Sequence, residues 1–299
     1  MIDYLQLFDD YAVDYALEGK NVGNNFIGIH CPWCNDSSYH GGVPKDGSEK
    51  FSCWRCGTHS VRATLAVILH TKNIDTVLQS YDNGTLVHHE ERPTIGGAEH
   101  VNVPGSTLQW YHRKYLEKRR YDPDYLISKY KVQGTTPYET DFKMRSKVIF
   151  PIIYSQEIVS YQGRSIRDDA VYRYITAPPH EEKIFHKHLL YNLDYCKEDW
   201  VVMVEGVFDA LRLGDNACAT FGTTFLPQQL LLLKPYKRIF MLYDDEFDAQ
   251  EKAKKAASML SSIVDGTVYV TDIGQGKDPD DLSDDDAQYV MNEFRRVVH

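Results

Sequence analysis

The chain has 299 residues, 42% hydrophobic and 25% charged, a composition typical of a globular protein with about two or three compact units. It contains no apolar run of the about 20 residues that cross a bilayer, and its start lacks the basic-then-apolar order of a secretory signal. We therefore expect a cytoplasmic protein without membrane contact, and the formal net charge of −10 argues against nucleic acid as a partner of the chain as a whole.

The charge is distributed unevenly along the chain. Residues 241–299 contain fourteen acidic side chains against six basic ones, whereas residues 110–147 contain ten Lys or Arg side chains against five acidic ones. A chain with separated charges can bind phosphate in one region and cations in another. The overall charge therefore does not exclude a nucleic-acid enzyme.

Four of the six cysteines form two Cys-x-x-Cys pairs on either side of the spacer Asn35–Ser52: Cys31, Cys34, Cys53 and Cys56. Each pair forms a tight turn that presents two thiolates to one ion, and this spacing is typical of zinc ribbons. We predict a closed four-thiolate site with a structural zinc ion. A redox role for the pairs is the alternative.

Aromatic and hydrogen-bonding side chains surround these cysteines. His40 and Arg55 are candidates for contacts with a nucleic-acid template, because rings and guanidinium groups suit unstacked bases. Trp33 and Trp54 either share this role or pack the ribbon. The apolar residues of the next segment predict a helix over 60–69 that covers the metal module.

A linker and a basic helical region follow. Residues 82–106 combine Gly, Pro and Asn without helical or strand periodicity, which is the composition of a linker. A basic helix begins near 107, and Asp122 with Pro123 provides the N-cap and first-turn proline of a second helix. Extended runs over 147–154 and 157–162 then predict a β-hairpin.

The remainder of the chain alternates short apolar strands with helices. Strands are predicted over 200–204, 217–220, 238–243 and 267–271, and helices over 206–213, 227–233, 248–263 and 284–297. This alternation predicts a parallel sheet with helices on both faces and ligands at the carboxyl ends of its strands.

Acidic residues follow three of these strands. Glu205 follows the first strand, Asp244 and Glu246 follow the third, and Asp278 comes shortly after the fourth. Because the carboxyl ends of parallel strands meet at one edge, we expect the carboxylates to converge, to bind magnesium or manganese and to serve phosphoryl transfer. The alternative is that they cap the helices that follow.

Four runs in this region resemble the successive motifs of the Toprim fold: Val204-Glu205-Gly206-Val207-Phe208-Asp209-Ala210, Phe221-Gly222-Thr223, Tyr243-Asp244-Asp245-Glu246 and Gly276-Lys277-Asp278-Pro279. Together with the two cysteine pairs, they resemble the Toprim-type DNA primases of bacteria and bacteriophages over most of the chain. The first cysteine pair and His40 resemble the phage form more closely, because the bacterial form usually has histidine at one ligand position.

The resemblance includes a basic subdomain before the Toprim motifs. Its runs are Arg145-Ser146-Lys147-Val148-Ile149-Phe150-Pro151, Gln162-Gly163-Arg164, Tyr172-Arg173-Tyr174 and Phe185-His186-Lys187. The resemblance implies that five bases here bind nucleotide phosphates and template: Arg145, Lys147, Arg164, Arg173 and Lys187. Such side chains supply the counter-charge for a triphosphate and a DNA backbone.

The resemblance also implies roles for the acidic residues. Glu205 is the general base or an acid beside the metal, and Asp244, Glu246 and Asp278 bind magnesium or manganese. The chain departs from the usual Asp-x-Asp pattern at Glu246, and it has Ala249 where the family usually has glycine. The reserve ligands are Asp245 and Asp248.

These features predict a multidomain protein. A small zinc-ribbon β domain over 1–80 is followed by a flexible linker over 81–106. An α+β basic subdomain over 107–195 precedes an α/β Toprim domain with a parallel sheet over 196–299.

The resemblance implies a DNA primase, a nucleotidyltransferase that makes short RNA primers for DNA replication. Its partners are single-stranded DNA and ribonucleoside triphosphates, and its cofactors are zinc and magnesium or manganese. The sequence contains no GxxxxGK[ST] run, so a replicative helicase would be a separate partner. The alternatives are a Toprim-type nuclease or topoisomerase-like strand cleaver, and an inactive zinc-ribbon DNA-binding protein.

Overall fold

The computed structural model describes residues 2–82, 96–222, 225–243, 247–273 and 278–297, without the side chains of Pro227, Phe247 and Asp248. The α-helices in these ranges are α1 (Tyr4–Asp10), α2 (Val61–Ile68), α3 (Ile74–Gln79), α4 (Trp110–Lys118), α5 (Pro123–Tyr130), α6 (Val207–Leu213), α7 (Pro227–Leu232), α8 (Phe247–Ser261) and α9 (Asp284–Val297). The strands are β1 (Tyr15–Ala16), β2 (Phe26–Cys31), β3 (Asp36–Pro44), β4 (Lys50–Cys53), β5 (Gly57–Ser60), β6 (Gln133–Gly134), β7 (Lys147–Tyr154), β8 (Glu157–Ser165), β9 (Tyr174–Thr176), β10 (Trp200–Val204), β11 (Ala217–Ala219), β12 (Arg238–Leu242) and β13 (Thr267–Thr271). None of the helices in the described ranges has the length and apolar character required to span a bilayer.

The chain divides into two compact units. Unit 1 comprises Met1–Thr85, Ile95–Pro151 and Ser160–Lys183. Unit 2 comprises Leu86–Thr94, Ile152–Val159 and Ile184–His299. Unit 1 therefore contains the cysteine pairs and most of the basic region, and unit 2 contains the acidic α/β region.

The cysteine pairs lie in a five-stranded antiparallel sheet of unit 1 with the order β1-β2-β3-β4-β5. Ile29 and Phe51 are buried in its core, and a Cβ atom at Gly41 would lie 2.5 Å from the Phe51 ring, so the ring requires glycine there. Ser60 caps α2 by accepting a hydrogen bond from the Ala63 N–H group. The helix predicted over 60–69 is confirmed as α2.

Residues of the predicted linker are described only in part, because 83–95 lies outside the described residues. Beyond this gap, the backbone N–H groups of Gly96, Gly97 and Ala98 donate to the carbonyl oxygens of Lys183, Pro179 and Glu182, respectively. These three residues are therefore hydrogen-bonded to the segment after β9.

The basic region forms helices α4 and α5 and a sheet with the order β6-β7-β8-β9. The Asp122 carboxylate accepts hydrogen bonds from the first turn of α5, and Pro123 opens that helix, as predicted. Ser155 and Gln156, at the tip of the β7–β8 hairpin, have φ angles of 52° and 66°, the left-handed conformation of a tight hairpin turn. The predicted hairpin is therefore confirmed.

Unit 2 contains a parallel sheet with the order β11-β10-β12-β13. Met203 pairs with Met241, which pairs with Val270, so the carboxyl ends of β10, β12 and β13 are level. Apolar residues of α8, including Ala253 and Leu260, pack against this sheet. The predicted parallel α/β fold is confirmed, and its strand ends place Glu205 at one edge of the sheet.

Candidate catalytic and nucleic-acid-binding sites

The four predicted ligand cysteines form one group in which the sulfur atoms lie within 4.8 Å of one another. The Sγ atoms of Cys31 and Cys56 are 3.5 Å apart, and those of Cys34 and Cys53 are 3.8 Å apart. A tetrahedral zinc ion with Zn–S bonds of about 2.3 Å requires sulfur separations of about 3.8 Å, so the group fits zinc. Strands β2 and β4 end in Cys31 and Cys53, which attaches one ligand of each pair to the sheet.

The local backbone favours the thiolate form of Cys53. Burial opposes ionisation, but hydrogen bonds from the backbone N–H groups of Arg55 and Cys56 and from the side chains of Cys31 and Cys56 together lower the pKa of Cys53 to about 7. The Arg55 N–H group lies 3.4 Å from the Cys53 sulfur. Because thiolates are the ligands of zinc, this turn prepares the residue for a metal ion.

His40 and Arg55, the predicted template contacts, share a buried aspartate. Asp36 Oδ1 lies 2.9 Å from His40 Nδ1 and 3.1 Å from Arg55 Nη1. Burial alone would raise the pKa of Asp36, but hydrogen bonds from His40, Ser38 and Arg55 hold it well below its ordinary value. We did not predict a role for Asp36 from the sequence, because an acid next to a Cys-x-x-Cys turn usually lies in an exposed loop.

The two tryptophans of the ribbon differ in role. Trp33 stacks on His59 with ring centroids 4.8 Å apart, and its indole N–H donates to Thr64 Oγ1 at 3.0 Å, so it packs the ribbon. Trp54 is 73% exposed. With His40 it lines a surface depression of about 250 Å³ that is partly open to solvent. Trp33 is 42% exposed, so Trp54 is the more accessible of the two to a ligand.

Lys147 and Arg164 form a buried cationic site at one end of the β7-β8-β9 sheet. Lys147 is 2% exposed, and its ammonium group donates to the Tyr172 carbonyl oxygen at 2.7 Å. Arg164 is 9% exposed, and its guanidinium carbon lies 4.4 Å from the centroid of the Tyr174 ring. Within the described part of the chain, the buried Arg164 Nε atom has no hydrogen-bond partner.

Electrostatics make this site receptive to an anion. Burial, and after it the positive charge of Arg164, lower the pKa of Lys147 to about 8, while Asp141 offsets part of this effect. Arg145 and Arg173 are exposed near the same strand ends. Arg145 Nε donates to the Glu139 carbonyl oxygen at 2.8 Å. The structure thus brings four of the five predicted phosphate-binding residues to one end of this sheet.

Lys187, the fifth predicted base, lies in unit 2. It is 3% exposed, and its ammonium group donates to the Phe221 carbonyl oxygen at 3.0 Å. The next residue, Gly222, donates its backbone N–H to the Glu205 carbonyl oxygen at 2.8 Å. Lys187 is therefore hydrogen-bonded to the loop that contacts Glu205.

Glu205 lies half-buried directly after β10. Burial raises the pKa of Tyr243, and the negative charge of Glu205 adds to this effect, so the carboxylate lies near the first residue after β12. The predicted ligands Asp244 and Glu246, the reserve ligand Asp245 and the side chain of Asp248 lie outside the described residues.

The spacing Glu-Gly-x-x-Asp, from Glu205 to Asp209, has a structural cause. The Gly206 N–H group donates to Asp209 Oδ2 at 2.8 Å, which caps the start of α6. A Cβ atom at position 206 would lie 2.9 Å from that oxygen, so a larger residue would require the Asp209 carboxylate to shift. Asp209 thereby orients the turn that presents Glu205.

Asp278 caps a short 3₁₀ helix, Pro279–Asp281, through a hydrogen bond of 3.0 Å from the Asp280 N–H group. The capping role that the sequence left open is thus present at this acid. Arg212 of α6, whose side chain is 1% exposed, lies 3.9 Å from Asp280 and also pairs with Asp284. Arg212 was missed because it stands in an otherwise apolar helix, where one charged residue is easily assigned to the solvent face.

Comparisons with known proteins show what this chain is similar to. Residues 202–283 match the family model described as Toprim-like. The DNA primase of Aquifex aeolicus (strain VF5) is 31% identical over 187 residues, which cover 58% of this chain and 36% of that protein. The chain thus spans about a third of the length of this curated relative.

Two solved structures share the fold. The zinc-binding and RNA polymerase domains of the Aquifex aeolicus primase match with a TM-score of 0.52 and 19% identity, covering 98% of this chain and 83% of that chain. The RNA polymerase domain of Mycobacterium tuberculosis primase, solved with double-stranded DNA, matches with a TM-score of 0.50 and 18% identity over 61% of this chain and 73% of that chain.

The resemblance to the Toprim-type DNA primases is confirmed. The predicted multidomain fold, with a cysteine-bearing ribbon, a basic α+β region and a Toprim sheet, is confirmed with it. These relatives are bacterial, so the likeness to the phage form stays a prediction.

Proposed function

We propose that this chain is a DNA primase, an RNA polymerase that makes short RNA primers on single-stranded DNA from ribonucleoside triphosphates. The likeness to the Aquifex aeolicus primase domains, which covers 98% of this chain, carries the proposal. The cysteine group, the buried cationic site and the acidic edge of the Toprim sheet support it independently.

In this proposal the ribbon binds zinc and reads the template. Zinc would be held by Cys31, Cys34, Cys53 and Cys56 in a closed site that has a structural role. His40 and Arg55 are held by the buried Asp36 carboxylate, and this pairing limits their rotamers. Preorganised donors lose less conformational entropy when they bind a base, which supports both residues as template contacts.

The bases at the end of the β7-β8-β9 sheet bind phosphate groups. Lys147 and Arg164 are buried cations that an anion would stabilise, and the exposed Arg145 and Arg173 would extend the contact to a nucleic-acid backbone. Lys187, which donates to the loop that contacts Glu205, would contribute a further positive charge.

The acids of unit 2 provide the catalytic chemistry. Asp244, Glu246 and Asp278 would hold magnesium or manganese beside Glu205, and Asp245 and Asp248 are reserve ligands. The bound ion would neutralise triphosphate charge and lower the pKa of the attacking hydroxyl group. Glu205 is oriented by the Gly206–Asp209 turn and would accept the proton of that hydroxyl group.

The partners follow from this chemistry. The template is single-stranded DNA. A separate replicative helicase would unwind the duplex that yields this template. A primase with these parts needs no motor of its own.

A primer-synthesis assay tests the proposal. The chain is incubated with single-stranded DNA, labelled ribonucleotides and either magnesium or manganese, and short RNA is the expected product. Nicked DNA would instead identify a strand cleaver, and template binding without synthesis in both metals would identify an inactive DNA-binding protein.

The variant Glu205→Gln tests the catalytic site. Loss of the carboxylate should reduce synthesis by about 10²-fold or more, because it removes the proton acceptor and a negative charge beside the metal ion. Binding of single-stranded DNA should change less than about 2-fold, since this acid makes no attractive contact with phosphate. Glu251→Gln, at an exposed acid of α8, is the matched control. Near-normal primer yield from Glu205→Gln would refute the assignment.

A further inference from the structure

The partly or fully exposed aromatic side chains from α4 to β7 include Trp110, Tyr111, Tyr138 and Phe142. The exposed fraction is 73% for Trp110, 89% for Tyr138 and 60% for Phe142, and Tyr111 is half-buried. A single exposed aromatic residue is ordinary on a protein surface, whereas a group of them marks a binding surface more often than not.

These rings are neighbours in space. The ring centroids of Trp110 and Tyr111 are 5.7 Å apart. The next residue of α4, His112, lies 3.0 Å through Nε2 from the Thr135 carbonyl oxygen, so the segment that carries Tyr138 packs against this helix. Burial, and after it the charges of Tyr138 and Glu139, raise the pKa of Tyr111, which agrees with this packing. Later in the same segment, Phe142 packs against Tyr172 with ring centroids 6.2 Å apart.

Basic groups accompany the rings and lead to the buried cationic site. The Arg145 N–H group donates to the Phe142 carbonyl oxygen at 3.3 Å, and Arg145 Nε donates to the Glu139 carbonyl oxygen at 2.8 Å. The Tyr172 carbonyl oxygen, in turn, accepts the hydrogen bond from Lys147. The aromatic group is thus continuous with the phosphate-binding residues.

The acids of this segment are used by the local backbone. The Glu139 carboxylate accepts hydrogen bonds from the N–H group and hydroxyl of Thr136 at 2.8 and 3.0 Å. The Asp141 carboxylate accepts one from the Lys143 N–H group at 2.9 Å. Both carboxylates accept hydrogen bonds from groups of the same segment. The exposed guanidinium group of Arg145 would therefore supply positive charge to a bound strand.

We propose that Trp110, Tyr111, Tyr138 and Phe142 form a base-stacking strip for single-stranded nucleic acid. Aromatic rings near basic groups suit a single strand of nucleic acid. The bases can stack on the rings, and the basic groups neutralise the phosphates. The inference rests on the proposed function, in which template DNA and nascent RNA are the single strands present. The strip adds a stacking contact to the phosphate contacts of Lys147 and Arg164.

Fluorescence anisotropy with labelled fifteen-nucleotide strands tests the strip in the full-length chain. The strands are oligo-dT, oligo-rU and an abasic DNA strand with the same phosphates. Trp110→Ala and Tyr138→Ala should each weaken binding of a strand with bases by about 5- to 100-fold. Binding of the abasic strand should stay within about 2-fold, because it offers no base to stack.

Two controls separate stacking from folding. Trp110→Phe retains a ring and should keep most of the affinity. Tyr289→Ala removes a ring that is 64% exposed on α9 in unit 2, and it should bind like the wild type. Circular dichroism of each variant should match that of the wild type.

The outcomes distinguish this inference from the proposed function. A larger loss for oligo-dT assigns the strip to template DNA, and a larger loss for oligo-rU assigns it to RNA. If the wild type makes primers but Trp110→Ala and Tyr138→Ala bind as tightly as Tyr289→Ala, the strip is refuted and the function stands. If the wild type makes no RNA, but Trp110→Ala and Tyr138→Ala bind the strands more weakly than the wild type, the strip stands and the function fails.

Discussion

The residues with the clearest functional character are charged side chains that the fold has buried. Lys147 and Arg164 are 2% and 9% exposed, so water cannot fully solvate their positive charges. A buried cation costs free energy in the unliganded protein, and an anion that binds beside it recovers part of that free energy. At the residue scale, burial prepares these side chains for phosphate.

Proton uptake should accompany triphosphate binding near pH 8. Lys147 has a pKa lowered to about 8, so it is about half protonated there, and a bound anion raises its pKa toward the ordinary value. Isothermal titration calorimetry of ATP in buffers of different ionisation enthalpy should show uptake of up to about half a proton per ligand.

The Lys147→Arg variant is the control for this measurement. Arginine keeps the positive charge but does not titrate near pH 8, so binding should persist while the uptake disappears. An equal uptake in the variant would show that another group takes the proton.

At the scale of elements, α6 connects two of the candidate catalytic acids. It begins directly after the Glu205–Gly206 turn, and near its other end Arg212 pairs with Asp280, two residues after Asp278. Every residue of this helix is buried. A packed helix is a rigid spacer, so it maintains the separation between the turn of Glu205 and the 3₁₀ helix of Asp278.

Removal of the Arg212 charge should destabilise unit 2. Arg212→Gln leaves the Asp280 carboxylate, which is 10% exposed, without this cation, and it should lower the free energy of unfolding by about 2 to 4 kcal/mol. Arg295→Gln breaks a more exposed pair with Glu198 and should cost less than about 1 kcal/mol. Chemical denaturation measures both, and equal losses would contradict a special role for Arg212.

The ribbon should depend on its metal ion. Structural zinc contributes to the free energy of folding, so chelation or Cys53→Ser should release about one zinc per chain and unfold the β2–β5 region. Loss of template binding and increased proteolysis of that region are the expected readouts. Cys218→Ala, at a buried thiol in unit 2, should retain the zinc. In the untreated protein, the four cysteines should react with a thiol reagent more slowly than free thiols do. Equal rates would rule out the site.

At the scale of the whole molecule, the distribution of charge explains how a chain with a net charge of −10 can bind a polyanion. Basic residues are concentrated in the segment 110–147, and acidic residues are concentrated after 240. Because salt screens charges over about 10 Å, a strand senses the local bases more than the net charge. In the proposed function, the acidic region binds cations.

The salt dependence of DNA binding should follow the position of a charge rather than the total charge. Arg173→Glu should reduce the slope of log affinity against log salt by about 0.7 to 1.4, since it removes one phosphate contact and adds a repulsive charge. Lys255→Glu makes the same change in net charge on α8 and should leave the slope nearly unchanged. Equal slopes for the two variants would mean that Arg173 does not contact the backbone.

The sequence by itself determined the regular elements and the order of the modules. The strands and helices after residue 200 agree with the predicted ranges within about two residues, because apolar periodicity is a local property of the chain. The clustering of the four cysteines was also predictable, since two Cys-x-x-Cys pairs at ribbon spacing favour one shared site.

Only the tertiary structure decided which charged and aromatic residues have an environment suited to function. It buried Asp36 beneath His40, stacked Arg164 on Tyr174 and left Trp54 exposed while Trp33 was packed. Burial and pairing depend on groups contributed by separate segments of the chain, and local composition carries no record of them. The same physical reason explains why neither Asp36 nor Arg212 was visible before the fold was known.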